Sequence, residues 1–133
     1  MNIQKFTQKS IEAINGCEKL AYEYGNQEIE QEHLLVSLLL QEDGLIPKLI
    51  EKMEINKEHF IHNAQEYLAK RVKVSGGQIY MGQNLNKALV SAEDEAKKMG
   101  DEYVSVEHLF LALLKYPNQA LKNIFKEYGI TRD

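Results

Sequence analysis

The second half of this chain repeats its first half at a constant offset of 75 residues. Glu32-His33-Leu34 recurs as Glu107-His108-Leu109, Gly25 as Gly100, Ala13 as Ala88, Ala21 as Ala96, Leu38-Leu39 as Leu113-Leu114 and Ile55 as Ile130. No gap is needed between Gln8 and Ile55 to hold this register. Most other matches exchange one apolar residue for another, as in Ile14 with Leu89, Ile29 with Val104, Leu35 with Phe110 and Ile50 with Phe125. A duplicated unit that keeps its apolar positions keeps its fold. The surface between the two copies is therefore the first place to look for function.

The periodicity inside each copy is helical. In the first, Thr7 can cap a helix running to about Tyr24, with Gly25 at the left-handed position that ends it. Asn15-Gly16 is a turn-like pair inside that helix, but the second copy has Val90-Ser91 there, so one continuous helix is expected. A second helix begins near Gln31 and carries the apolar stripe Leu34, Leu35, Leu38 and Leu39. Residues 45 to 53 form a third helix, with Leu45, Ile46, Leu49, Ile50 and Met53 expected inside. Asn56 caps a fourth, carrying Phe60, Ile61, Ala64 and Leu68. The second copy repeats the scheme over Gln83 to Met99, Val106 to Lys115 (capped by Ser105) and Asn118 to Tyr128.

The fold class read from this is all-α, a pseudo-twofold bundle of two four-helix repeats in one domain, 1–133. Repeat one covers 6–70, a connector 71–82, and repeat two 83–133. Ile55 to Glu58 open the fourth helix, and their repeat partners are Ile130 to Asp133. The eighth helix is thus expected to be truncated and the chain to be a piece of something longer.

Composition excludes several classes. The net charge is −4, from 16 basic and 20 acidic residues, which argues against a nucleic-acid face. Lys70, Arg71 and Lys73 form one short basic cluster, read as a solvated connector. The lone cysteine, Cys17, rules out an internal disulfide and fits a reducing compartment. No apolar run approaches the roughly 18 residues of a membrane span, and the start lacks the apolar centre of a signal peptide. A cytoplasmic protein without membrane partners is expected. No GxxxxGK[ST] loop or glycine-rich dinucleotide fingerprint occurs. His59 and His62, three apart, could reach one metal ion, but two ligands are a weak site, so no metal and no catalytic residue are assigned. His33 and His108 repeat, and a structural role at the start of a helix is the better reading. Cys17 reads as a packed thiol. Glu32 and Glu107 each lie in a first helical turn. A carboxylate there can oppose the helix dipole or bind a guanidinium or ammonium group, and both readings stay open.

The segments Phe6-Thr7-Gln8-Lys9-Ser10, Gln27 through Leu35, and Asp101 through Leu109 resemble the amino-terminal domain of Clp ATPases. The connector Val74-Ser75-Gly76-Gly77-Gln78-Ile79-Tyr80 and the segment Glu127 through Asp133 resemble the ClpB branch, the protein disaggregases. The likeness spans the chain, and the doubled Glu-His-Leu at this spacing is specific. The resemblance implies an eight-helix pseudo-twofold bundle preceding two ATPase modules. ATP and magnesium would belong to those modules and no cofactor to this segment. It implies a stress-response chaperone, hexameric as a whole, whose amino-terminal module is monomeric when isolated. That module would bind exposed segments of unfolded or aggregated protein, with adaptor proteins as further partners, and help deliver them to the ring pore. Family residues tied to that role match Thr7, Asp101 and Glu107, and an apolar groove beside the first helix matches at the small residues Ala13 and Cys17. Where some relatives carry leucine this chain has Ser91, Glu95 and His108, so the groove is expected to be more polar. A side chain seated in a depression at Ala13 and Cys17 would gain roughly 25 cal/mol per Å² buried, much of it offset by ordering the peptide. Binding is expected to be weak and, with carboxylates at the rim, to favour Lys or Arg beside apolar residues. The alternative is a receptor of the ClpC branch, in which Glu32 and Glu107 together bind phosphoarginine or an adaptor. A metal hydrolase built on His59 and His62 is the third and weakest reading.

Overall fold

The apolar stripe at Leu34, Leu35, Leu38 and Leu39 demands burial, and the structure buries the whole helix that carries it. The computed structural model describes residues 3–131. Among them are seven α-helices: α1 Gln8–Tyr24, α2 Gln31–Leu39, α3 Leu45–Lys52, α4 Lys57–Ala69, α5 Gln83–Lys98, α6 Val106–Lys115 and α7 Gln119–Tyr128. The central helix is α2, and the other six all pack on it. Shifted by the repeat offset, α1, α2 and α3 fall on 83–99, 106–114 and 120–127, within a residue of α5, α6 and α7. The all-α reading therefore holds. Arg132 and Asp133, half of the segment expected to open an eighth helix, lie outside the described residues.

Two elements of the fold were not foreseen. Glu28–Ile29 (β1) pairs in parallel with Tyr80–Met81 (β2) inside the connector. The second is a parallel bridge between Phe6 and Val104. These are one arrangement used twice, because 29 and 81 shifted by 75 residues in opposite directions become 104 and 6. The strand before each copy's second helix pairs with the strand before the other copy's first helix. Backbone bonds repeat accordingly: Gly82 N donates to Ile29 O at 2.7 Å, and Thr7 N donates to Val104 O at 3.0 Å. The two copies are thus laced together by their entry segments.

The helix ends follow the sequence signals. Thr7 Oγ1 accepts from Ser10 N at 3.2 Å, Asn56 caps α4 through His59 N, and Gly25 closes α1 at φ 71°. Two expectations need correction. Leu45 and Met53 are not inside; they lie on the outer side of α3 and are exposed, while Ile46, Pro47 and Ile50 fill the core. The connector is not simply solvated, since Arg71 is only 21% exposed and bonds to Glu28 and Glu32.

The glycine inside α1 has a packing reason. A Cβ on Gly16 would strike the hydroxyl of Ser37 on α2, and that hydroxyl donates to Ala13 O at 2.6 Å. In the second copy the bulk has changed sides, with Ser91 on the first helix facing the position of Ala112 on the second. A related exchange occurs at the caps. Glu30 Oε2 accepts from Asn84 N at 3.1 Å and so caps α5, and a Cβ on Gly82 would collide with that carboxylate. At the mate of that site, Thr7 caps α1 with its own side chain opposite the smaller Ser105.

Gly16→Ala is expected to destabilise the fold by about 1–2 kcal/mol through overpacking, despite alanine's helical preference of about 1 kcal/mol. Gly16→Ser combined with Ser37→Ala copies the second repeat and should recover most of that loss, with a coupling of about 1 kcal/mol or more. Urea unfolding of the three variants measures this. Purely additive effects would contradict the exchange.

Candidate functional site

The repeated histidines fix the turns on which the site is built. His33 Nδ1 accepts from Glu30 N at 2.9 Å, and His108 Nδ1 accepts from Ser105 N at 2.8 Å. An accepting Nδ1 places the ring proton on Nε2. Nε2 then donates to Asn26 Oδ1 at 3.0 Å in one copy and to Asp101 Oδ2 at 2.8 Å in the other. Each histidine so ties the first turn of its helix to the residue after the helix-ending glycine. The structural role expected for the pair is what the geometry provides. Burial and the nearby Arg71 charge lower the His33 pKa to about 4.

Asn26 against Asp101 is the first asymmetry between the copies; Glu32 against Glu107 is the second. Glu32 is buried and fully engaged: Arg71 Nη1 donates to Oε2 at 2.6 Å, and Asn118 Nδ2 donates to Oε1 at 2.6 Å. Arg71 Nη2 also donates to Glu28 Oε1 at 2.9 Å. Burial opposes the Arg71 charge, but Glu32 and Glu28 outweigh it and hold the guanidinium still more firmly protonated. Glu107 is exposed, and its side chain makes no hydrogen bond or ion pair with any described residue. The two carboxylates share a helical position and nothing else.

Thr7, Asp101 and Glu107 each stand within three residues along the chain of the Phe6–Val104 bridge, but no contact joins the three side chains. The Thr7 hydroxyl donates to Ser10 Oγ at 2.9 Å, and Ser10 Oγ donates to Val104 O at 3.0 Å. Asp101 lines a cavity of about 170 Å³, whose lining includes neither Thr7 nor Glu107. Its charged lining is Lys5, Glu93, Asp94, Lys97, Asp101 and Glu102, so carboxylates outnumber lysines.

Ala13 and Cys17 do not join this surface. They are 0% and 2% exposed, packed on the inner face of α1 against α2. The depression expected there is filled, because α2 approaches too closely to leave one. Burial pushes the Cys17 thiol pKa up to about 12, which makes it a packed group rather than a nucleophile. Ser91, Glu95 and His108 are also buried rather than lining an open groove. Glu95 is paired with Lys115 at 3.4 Å.

His59 and His62 do not converge. His59 Nδ1 bonds to the Tyr128 hydroxyl at 2.5 Å, and His62 pairs with Glu66 at 3.1 Å. Among the described residues no group of three or more His, Cys, Asp and Glu side chains could hold a metal ion. The sequence contains no GxxxxGK[ST] loop. None of the described helices is long and apolar enough to cross a membrane.

The family described as the Clp repeat (R) N-terminal domain matches residues 5–128. The chain belongs to this family. It is 40% identical to the chaperone protein ClpB of Nitratidesulfovibrio vulgaris, covering 100% of this chain and 16% of that protein. It is 37% identical to the chaperone protein ClpB of Porphyromonas gingivalis, covering 98% and 15%. The chain thus spans less than a fifth of the length of these curated relatives. The Hsp104 N-terminal domain from Candida albicans shares the fold at a TM-score of 0.86 and 25% identity, covering 97% of this chain and 85% of that one. A ClpV N-domain solved in complex with a VipB peptide shares it at 0.77 and 19%, covering 98% and 81%.

Sequence reasoning set Asn26 opposite Asp101 without giving it a bond, and it missed the role of Arg71. Arg71 is one of only two arginines in the chain, but its partners Glu28 and Glu32 lie some 40 residues away, and no local pattern links them.

Arg71→Ala is expected to cost about 2–4 kcal/mol, because it leaves Glu32 buried without its counter-ion. Adding Glu32→Gln should restore part of that. Thermal or urea unfolding distinguishes the two, and equal stability of Arg71→Ala and wild type would contradict the pairing. A second expectation concerns pH. The folded pKa of His33 lies below the unfolded value of about 6.5, so the unfolded chain takes the proton first. The stability this contributes is complete above about pH 6.5 and is lost as pH falls towards 4, by about 3 kcal/mol in all. Glu30, whose pKa burial raises, acts oppositely: its contribution is present below its unfolded pKa and lost as pH rises through its folded one. His33→Gln should flatten the slope of stability between pH 6.5 and 4. An unchanged slope would contradict this account.

Proposed function

We propose that this chain is the substrate-binding amino-terminal module of a ClpB-type ATP-dependent disaggregase. It weakly binds exposed segments of unfolded or aggregated proteins and passes them towards an ATPase ring. ATP and magnesium would act in the ATPase modules of the longer protein, in the cytoplasm. The observation that carries the binding reading is the free, exposed carboxylate of Glu107, whose mate Glu32 is buried and paired with Arg71; the acidic cavity at Asp101 adds to it. Thr7 would hold the entry of α1 at the rim of the same region. Its carboxylates favour segments in which Lys or Arg stands beside apolar residues. The shared fold with a ClpV N-domain bound to a VipB peptide supports a peptide-binding role for this architecture.

A phosphoarginine receptor using both glutamates would require Arg71 and Asn118 to leave Glu32, so the geometry favours the first reading.

Amide NMR titrations with an unfolded protein and with free phosphoarginine test the two. Saturable shifts at Thr7, Asp101 and Glu107 with unfolded protein are expected, weakened about 3–10-fold by Glu107→Gln. Saturable phosphoarginine shifts centred on both Glu32 and Glu107 would favour the receptor. No response to either ligand would overturn both.

A further inference from the structure

The repeat places a second cleft at the mate of the Asp101 cavity, between the end of α1 and the connector. Two adjoining hollows of about 450 and 190 Å³ share Asn26, Gln27 and Val74. The substitutions between the two clefts are systematic. Lys97, Asp101, Glu102 and Lys5 around the first become Tyr22, Asn26, Gln27 and Tyr80 around the second. At these four positions charge has been replaced by neutral and aromatic groups.

The connector then adds an apolar wall. Val72 and Tyr80 line the larger hollow, Tyr22 the smaller and Val74 both; they are 78%, 52%, 69% and 42% exposed, large apolar groups facing solvent along the cleft. The wall is held in place: Asn26 Nδ2 donates to Val72 O at 3.2 Å, Val74 N to Gly25 O at 2.9 Å and Tyr80 N to Gln27 O at 3.0 Å. A cleft held by backbone bonds costs a ligand little reorganisation.

The charge left over is positive. Arg71 is shared between Glu28 and Glu32, so that trio carries one net negative charge, which the two lysines nearby exceed. Lys70 lines the hollow and Lys73 lies beside it, its Nζ donating to Tyr24 O at 3.1 Å; neither forms an ion pair with any described residue. We infer that this cleft is a second docking site, for an extended apolar segment of a client protein flanked by Asp or Glu. Its preference complements that of the Asp101 region, so the duplicated fold presents two binding surfaces of opposite charge.

The test uses two peptides with the same Leu and Phe core, one flanked by aspartates and the other by lysines, each titrated into the labelled chain. The aspartate peptide should give saturable amide shifts at Gln27, Lys70, Val72, Val74 and Tyr80. Val72→Ser, at a site too exposed to endanger the fold, should weaken that binding about 3–10-fold, and Lys70→Glu about fivefold while favouring the lysine peptide. Shifts at Asp101 and Glu107 should be unaffected by either variant, which separates this site from the proposed function above. Shifts confined to Thr7, Asp101 and Glu107, or binding indifferent to both variants, would overturn the inference. So would shifts at the cleft that grow with protein concentration alone, since those would mark a second copy of the chain as its occupant.

Discussion

Burial of α2 is the constraint on which the rest of the structure depends. A helix enclosed by six others has no solvent to satisfy its polar side chains, so each must find a partner in the protein. Gln31 donates to Asn84 O and Tyr116 O and accepts from Asn118 N. Glu32 takes Arg71 and Asn118, His33 spans Glu30 N and Asn26, and Ser37 reaches Ala13 O. These partners come from α1, the turn after it, the connector, α5 and the entry to α7. The polar residues of one helix therefore fix the position of nearly everything around it, while its leucines supply the hydrophobic driving force.

The corresponding helix of the second copy is loaded differently. Its Glu107 faces water, and its histidine holds an aspartate in place of an asparagine. One copy has spent its polar groups on holding the bundle together, and the other keeps a carboxylate available. The exchanges between Gly16 with Ser37 and Ser91 with Ala112, and between the caps at Gly82 and Thr7, follow the same logic. Local volume and hydrogen bonding are conserved while the residues that provide them move across the interface.

Much of this was legible in the sequence. Helix positions, caps at Thr7, Asn56 and Ser105, and the continuity of α1 through Gly16 followed from apolar spacing and the repeat register. Thr7, Asp101 and Glu107 were singled out together only through family resemblance. What could not be read depended on tertiary closeness. Two-residue strands are too short to produce an alternating pattern, so the pairings of Glu28–Ile29 and Phe6 were invisible. Ala13 and Cys17 looked like a depression because small side chains signal either an open hollow or a close helix approach, and sequence does not separate the two. Arg71 looked like part of a solvated run because its partners lie far away along the chain.

The lacing of the entry segments has a consequence for synthesis. Val104 O receives its bond from Ser10, 94 residues earlier, and Thr7 depends on the same carbonyl. In a chain emerging from the ribosome, the start of α1 stays without its strand partner until Val104 has been made. The first copy, although a complete repeat, leaves its entry segment without that backbone partner until the second is made.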